Sequence, residues 1–179
     1  MQKSAVLFPL SRRAGQAGGT APRPATRWSI IGIALVIGYA AQAFGEWHWH
    51  WLAGLQDIEL YKQVTGAGLV LLFAVQWRLT AARTCGATRR ANQLLVPHRY
   101  WGAVVPLCLY LHADNFGYAY IRVMSLGVLS LVLVGCLHPS VIRFNRNWLT
   151  TAWLVTHIAL AATLMVVIGY HAFNAFFYE

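Results

Sequence analysis

Apolar residues in this chain gather into five blocks, each about as long as a bilayer crossing. They run from about Trp28 to Phe44, Thr65 to Ala82, Val96 to Ala113, Ala119 to Leu137, and Trp148 to Phe173. A helix needs about 20 largely apolar residues to cross a hydrocarbon core of about 30 Å. The polar breaks between blocks carry turn chemistry, as in Asp114-Asn115-Phe116-Gly117 and His138-Pro139-Ser140. Pro97 suits the first turn of the third helix. Trp28 suits an interfacial anchor for the first. Gly66 and Gly68 in the second permit close helix approach. The pattern predicts an all-α membrane protein, a five-helix transmembrane bundle over residues 28–173. It is expected to be preceded by a flexible basic cytoplasmic tail (1–27) and followed by a short external C-terminus (174–179).

Composition supports the membrane reading. The 179 residues are 58% hydrophobic and 11% charged, against about 25% charged in soluble domains. The net charge of +9 would point to nucleic acid in a soluble protein. Here the basic residues flank apolar blocks, so topology and anionic lipid account for them and no nucleic-acid partner is expected. With five spans, the tail and the second and fourth loops share one face. That face takes every Lys and Arg except Lys62 and Arg122, and none of the acids. Glu46, Asp57, Glu59, Asp114 and Glu179 all fall on the other. The bias places the N-terminus in the cytoplasm and the C-terminus outside, in what is expected to be a bacterial inner membrane. Cys85, Cys108 and Cys136 form no CxxC or CxxCH pattern, which argues against a disulfide framework and against covalent c-type haem.

Within this frame four histidines stand out. His98 and His112 lie fourteen residues apart in the third helix, and His157 and His171 repeat the spacing in the fifth. Fourteen residues make just under four turns, so both histidines of a helix project from nearly the same side, with a rise of roughly 21 Å between them. The stripes His98-Gly102-Val105-Leu109-His112 and His157-Ala161-Leu164-Ile168-His171 match in their offsets, and each has a small residue four positions after its first histidine. That residue would leave room for a flat macrocycle. One span separates the two helices, so they run parallel. His98 then shares a depth with His157, and His112 with His171. Histidine inside a membrane is functional by default, and neutral imidazole suits haem iron. Two axial imidazoles close the iron to oxygen and favour electron transfer. The pattern therefore predicts two six-coordinate, non-covalent haems, with second-shell carbonyls or hydroxyls holding each ring through its other nitrogen. Arg99 is placed to pair with a propionate. Arg83, Arg89, Arg90, Arg143 and Arg146 are alternatives for that role, most of them more simply topogenic.

The stretch from about Leu60 onward resembles the ferric reductase-like transmembrane family. That family includes the membrane domains of ferric reductases and NADPH oxidases and the haem subunit of the periplasmic methionine sulfoxide reductase system. The matching features are His98-Arg99-Tyr100-Trp101-Gly102, His112, Pro139, Trp153-Leu154-Val155-Thr156-His157, and His171. The resemblance implies that the four histidines are axial ligands of two b-type haems in an electron-transfer subunit. The usual sixth helix and flavin/nicotinamide domain are not evident, and there is no Gly-rich phosphate loop. Electrons are then expected to pass between redox partner proteins on one or both faces, or a quinone. A quinone-linked membrane anchor of an external oxidoreductase and a non-haem scaffold or metal transporter are the alternative readings.

The remaining histidines have simpler explanations. His48 and His50 form an HxH among Trp47, Trp49 and Trp51. An interfacial aromatic segment explains them better than a metal site or docking face, since two histidines are a weak metal signal. His138 is read as a helix-end histidine facing the last carbonyls, with an approach to haem or quinone as the alternative. The helix interiors hold no carboxylate relay of the kind a proton pump uses.

Overall fold

The computed structural model describes residues 24–142 and 146–177. Most of the tail assigned to residues 1–27, Arg143 and residues 178–179 lie outside the described residues. All regular structure among the described residues is helical: α1 Pro24–Phe44, α2 His50–Gln56, α3 Glu59–Thr84, α4 Thr88–His112, α5 Ala119–Cys136, the single turn α6 Pro139–Ile142, and α7 Asn147–Phe177. Four are long and apolar enough to cross a membrane: Arg27–Phe44 of α1, then α3, α5 and α7. By length and composition the chain is a membrane protein.

The fifth long helix, α4, has the length but a more polar sequence that includes Arg89, Arg90, His98 and Arg99. Its position explains how this is tolerated. It packs on α1, α3 and α5 at the centre of the bundle, with His98 and Arg99 half-buried among its neighbours, while Arg89 and Arg90 stay exposed near its start. Ala103, Val105, Pro106 and Leu109 of α4 are buried. They meet a core built from Tyr39, Phe73, Val128, Leu129, Val132 and Leu164 on the other helices.

The elements run longer than the apolar blocks, because polar first turns do not register as membrane segments. α3 starts at Glu59, whose acid favours a helix N-terminus. α4 starts at Thr88, so Pro97 lies inside the helix and not in its first turn. The charged run after Arg83, expected as a loop, is largely helical because Ala91, Leu94 and Leu95 pack against Leu79 and Ala82 of α3. Between α3 and α4 lies a tight turn. Gly86 takes φ +69°. Its N–H donates to the Arg83 carbonyl, and the Ala87 N–H donates to the Ala82 carbonyl. This is the paired cap in which a left-handed glycine closes a helix. The fifth apolar block also extends, to Phe177, into the residues expected as a C-terminal tail.

At the opposite end, residues 45–58 fold back over the bundle. Leu52 of α2 is fully buried. The Gln56 amide donates to the Tyr110 and Leu111 carbonyls at 2.9 and 3.2 Å, near the end of α4. The Tyr39 hydroxyl lies 3.0 and 3.1 Å from the Ala113 and Asn115 carbonyls, in the turn between α4 and α5. Trp47, Trp49 and Trp51 stay exposed.

Candidate functional site

The two histidine helices do not form a close pair. α7 packs on α5 and reaches α3, while α4 packs on α1, α3 and α5. The histidines bridge the cleft between them. His98 and His157 approach at the basic end of the bundle, with ring centroids 6.3 Å apart and planes at 80°. His112 and His171 approach at the acidic end, at 6.5 Å and 80°. Each α4 histidine thus meets the α7 histidine of its own depth. A metal held between two ring nitrogens at about 2 Å from each places the ring centroids about 6 Å apart. Both pairs have this separation. Among the described residues no three His, Cys, Asp or Glu converge. An ion here would take two protein ligands and its remaining donors from another group, which is what a planar macrocycle provides.

The acidic-end pair is held through Nδ1. The Thr65 hydroxyl, on α3, donates to the Tyr61 carbonyl at 2.7 Å and lies 3.0 Å from His112 Nδ1. With its proton used on the carbonyl, the hydroxyl accepts from Nδ1–H. That assigns the tautomer and leaves Nε2 with a free lone pair. Gly66 permits this approach, since a Cβ there would lie 3.1 Å from His112 Cε1. Across the cleft the Tyr120 hydroxyl lies 3.4 Å from His171 Nδ1. Phe73, Leu109, Val128 and Ile168 give the cavity beside this pair apolar walls, and Glu59, Lys62 and Gln63 line it as well.

The basic-end pair is held by stacking. The Trp153 ring lies parallel to His157, with centroids 5.5 Å apart and 9° between planes. Its indole N–H donates to the Val134 carbonyl at 2.7 Å, one of the carbonyls left over where α5 ends. His138 stands edge-on to Trp153, with ring centroids 4.4 Å apart. Gly135 makes room for the ring, for a Cβ there would lie 3.2 Å from His157 Cε1. The Gln76 amide of α3 donates to the His98 carbonyl of α4 at 3.0 Å. A Cβ at Gly102 would lie 3.3 Å from that amide nitrogen. The small residue four positions after His98 therefore leaves room for Gln76. His98 Nδ1 and His157 Nδ1 are buried without a hydrogen-bond partner. Such atoms are costly, and a coordinating group would satisfy ring nitrogens of this kind.

Arg99 is half-buried, while Arg83, Arg89, Arg90 and Arg146 are exposed. Burial, reinforced by Arg99 and Arg83, holds the His138 imidazole below its ordinary pKa range, which puts both guanidinium groups near this end of the cleft. The HxH does not act as a unit. His48 pairs with Asp114 at 2.7 Å, and His50 begins α2. Cys85 is exposed, Cys108 half-buried and Cys136 buried, all as free thiols.

Several residues that shape the site carry no signal in the sequence. Thr65, Tyr120 and Gly135 become visible only when α3 and α5 are laid beside the histidine helices. No family model matches the chain, and no curated protein or solved structure matches it either.

Proposed function

We propose that this chain is a membrane cytochrome b of five spans that carries single electrons across the bilayer as a subunit of a larger redox system. The observation that carries the proposal is the pair of crossed His–His approaches, each with the separation that two axial imidazoles require. In this reading α4 is the fifth span, shielded by its neighbours. The basic end faces the cytoplasm and the acidic end the exterior of a bacterial inner membrane. His98 and His157 hold one haem b, with Arg99 toward a propionate, and His112 and His171 hold the other. The resemblance to ferric reductase-like membrane domains supports the same assignment through the histidine motifs.

When bound, the haems supply reversible one-electron chemistry. The protein does the rest. The paired imidazoles of His98 with His157 and of His112 with His171 would each hold one haem and exclude other ligands from it. Thr65 fixes the donor nitrogen of His112, and Trp153 and Gly135 fix the plane of His157. Val105, Leu109, Val128 and Leu164 keep the space between the two levels apolar. Donor and acceptor are redox partner proteins on one or both faces, or a quinone.

Purified protein should show a b-type reduced-minus-oxidised spectrum and two haems per chain. His157→Ala should retain one of them. A chain purified from haem-replete cells with no b-type band would overturn the proposal, and a His157→Ala protein that keeps both haems would overturn the pairing. A shift of the haem spectrum by a quinone analogue would place a quinone among the electron partners.

A further inference from the structure

We infer that Lys62 is the carboxylate anchor of the acidic-end cleft, binding a propionate of the haem held by His112 and His171. The inference rests on the haem reading above and adds the orientation of the macrocycle, with its carboxylates turned toward the acidic end.

The cleft is chemically lopsided. Its walls are apolar, two imidazoles meet inside it, and its polar residues include a single cation, Lys62. A porphyrin has the same asymmetry, an apolar disc with two carboxylates on one edge. Lys62 lies near the start of α3, three and four residues ahead of Thr65 and Gly66. Those two touch His112, so Lys62 sits about 5 Å further toward the end of the bundle along the helix axis. That is the offset between an iron-binding level and the rim of the ring.

The charges nearby leave Lys62 for this role. Glu59 lines the same cleft, but its carboxylate accepts from the Gln63 amide at 2.8 Å. Among the described residues Lys62 makes no ion pair. Arg122, the other cation at this end, donates to the Gly117 carbonyl at 3.3 Å and does not line the cleft. The positive-inside bias does not explain Lys62 either, because it lies on the face with the fewest cations.

The test compares Lys62→Gln and Lys62→Arg with the parent, all purified with haem. Each protein is titrated spectroelectrochemically, and the propionate bending bands are read by resonance Raman. Lys62→Gln should keep two haems and shift the reduced-to-oxidised ratio of one of them roughly tenfold toward oxidised. This is the size expected for a unit charge removed from about 10 Å at an effective dielectric near 20. The propionate band of the same haem should move, and Lys62→Arg should restore both readings. In a His157→Ala background the remaining haem should be the one that responds. Unchanged potentials and bands in Lys62→Gln would overturn the inference. So would loss of a haem in both variants, since Lys62→Arg keeps the charge. A parent protein without haem would instead overturn the proposed function.

Discussion

Single atoms decide how the four histidines present themselves. At His112 a hydroxyl whose proton is already committed to the Tyr61 carbonyl can only accept from the ring, so one threonine chooses which nitrogen is free. Such outer partners of a metal-bound histidine are worth about 10- to 100-fold in metal affinity. Thr65→Val should therefore speed haem loss from the acidic-end site by about that factor, while Thr65→Ser should leave it near the parent rate. Transfer of haem to an excess of apo-myoglobin, followed optically, measures both. Equal rates in Thr65→Val and the parent would show that the contact has no orienting role. At His157 the same task falls to an aromatic face and to a missing methyl at Gly135.

The long helices are fitted together by small residues at their crossings. On α1, a Cβ at Gly32 would come 2.5 Å from Cys136 Sγ of α5 and 3.3 Å from the Ala103 Cα of α4. The backbone of the central helix cannot yield as a flexible side chain can. Gly32→Ala should cost about 1–3 kcal/mol from overpacking, read as a lower thermal midpoint in detergent and faster thiol labelling of Cys136. Gly38 has open space around it, so Gly38→Ala should be neutral or gain up to about 1 kcal/mol from helix propensity. Opposite behaviour at the two glycines would refute this account of the crossing. At this scale much was legible in the sequence. The apolar blocks located α1, α3, α5 and α7, and the repeated offset of fourteen put the α4 and α7 histidines at matching depths. What escaped was the beginning of α4, where arginines hide the Ala91-Leu94-Leu95 face that packs on α3. The Gln76 neighbour of Gly102 escaped too, because a stripe drawn on one helix does not show what lies beside it.

Seen as a whole, the bundle is built around its least apolar long helix. α4 has α1, α3 and α5 around it, whereas α7 packs chiefly against α5 and has one buried residue, Leu164, in its 31. Gly127 receives that leucine, since a Cβ there would lie 2.9 Å from Leu164 Cδ2. Ile37, Leu71, Val123 and Val166 point outward, as lipid-facing side chains do. What the sequence could not show is how near the rings come, 6.3 and 6.5 Å between centroids across the cleft.

With α7 so loosely seated, the proposed haems would be part of the architecture. Each would be a rivet through two walls, with one nitrogen of the central helix on one side and one of the outer panel on the other. Binding to the assembled form alone stabilises it by mass action. Chains made under haem starvation should therefore exchange amide hydrogens faster along α7 than along α1 or α3, and the difference should disappear once haem is restored. Equal protection of α7 with and without haem would mean that this helix is secured by its contacts with α5 alone. Assembly of such a protein would then be paced by cofactor supply, with the last helix left ajar until both rivets are set.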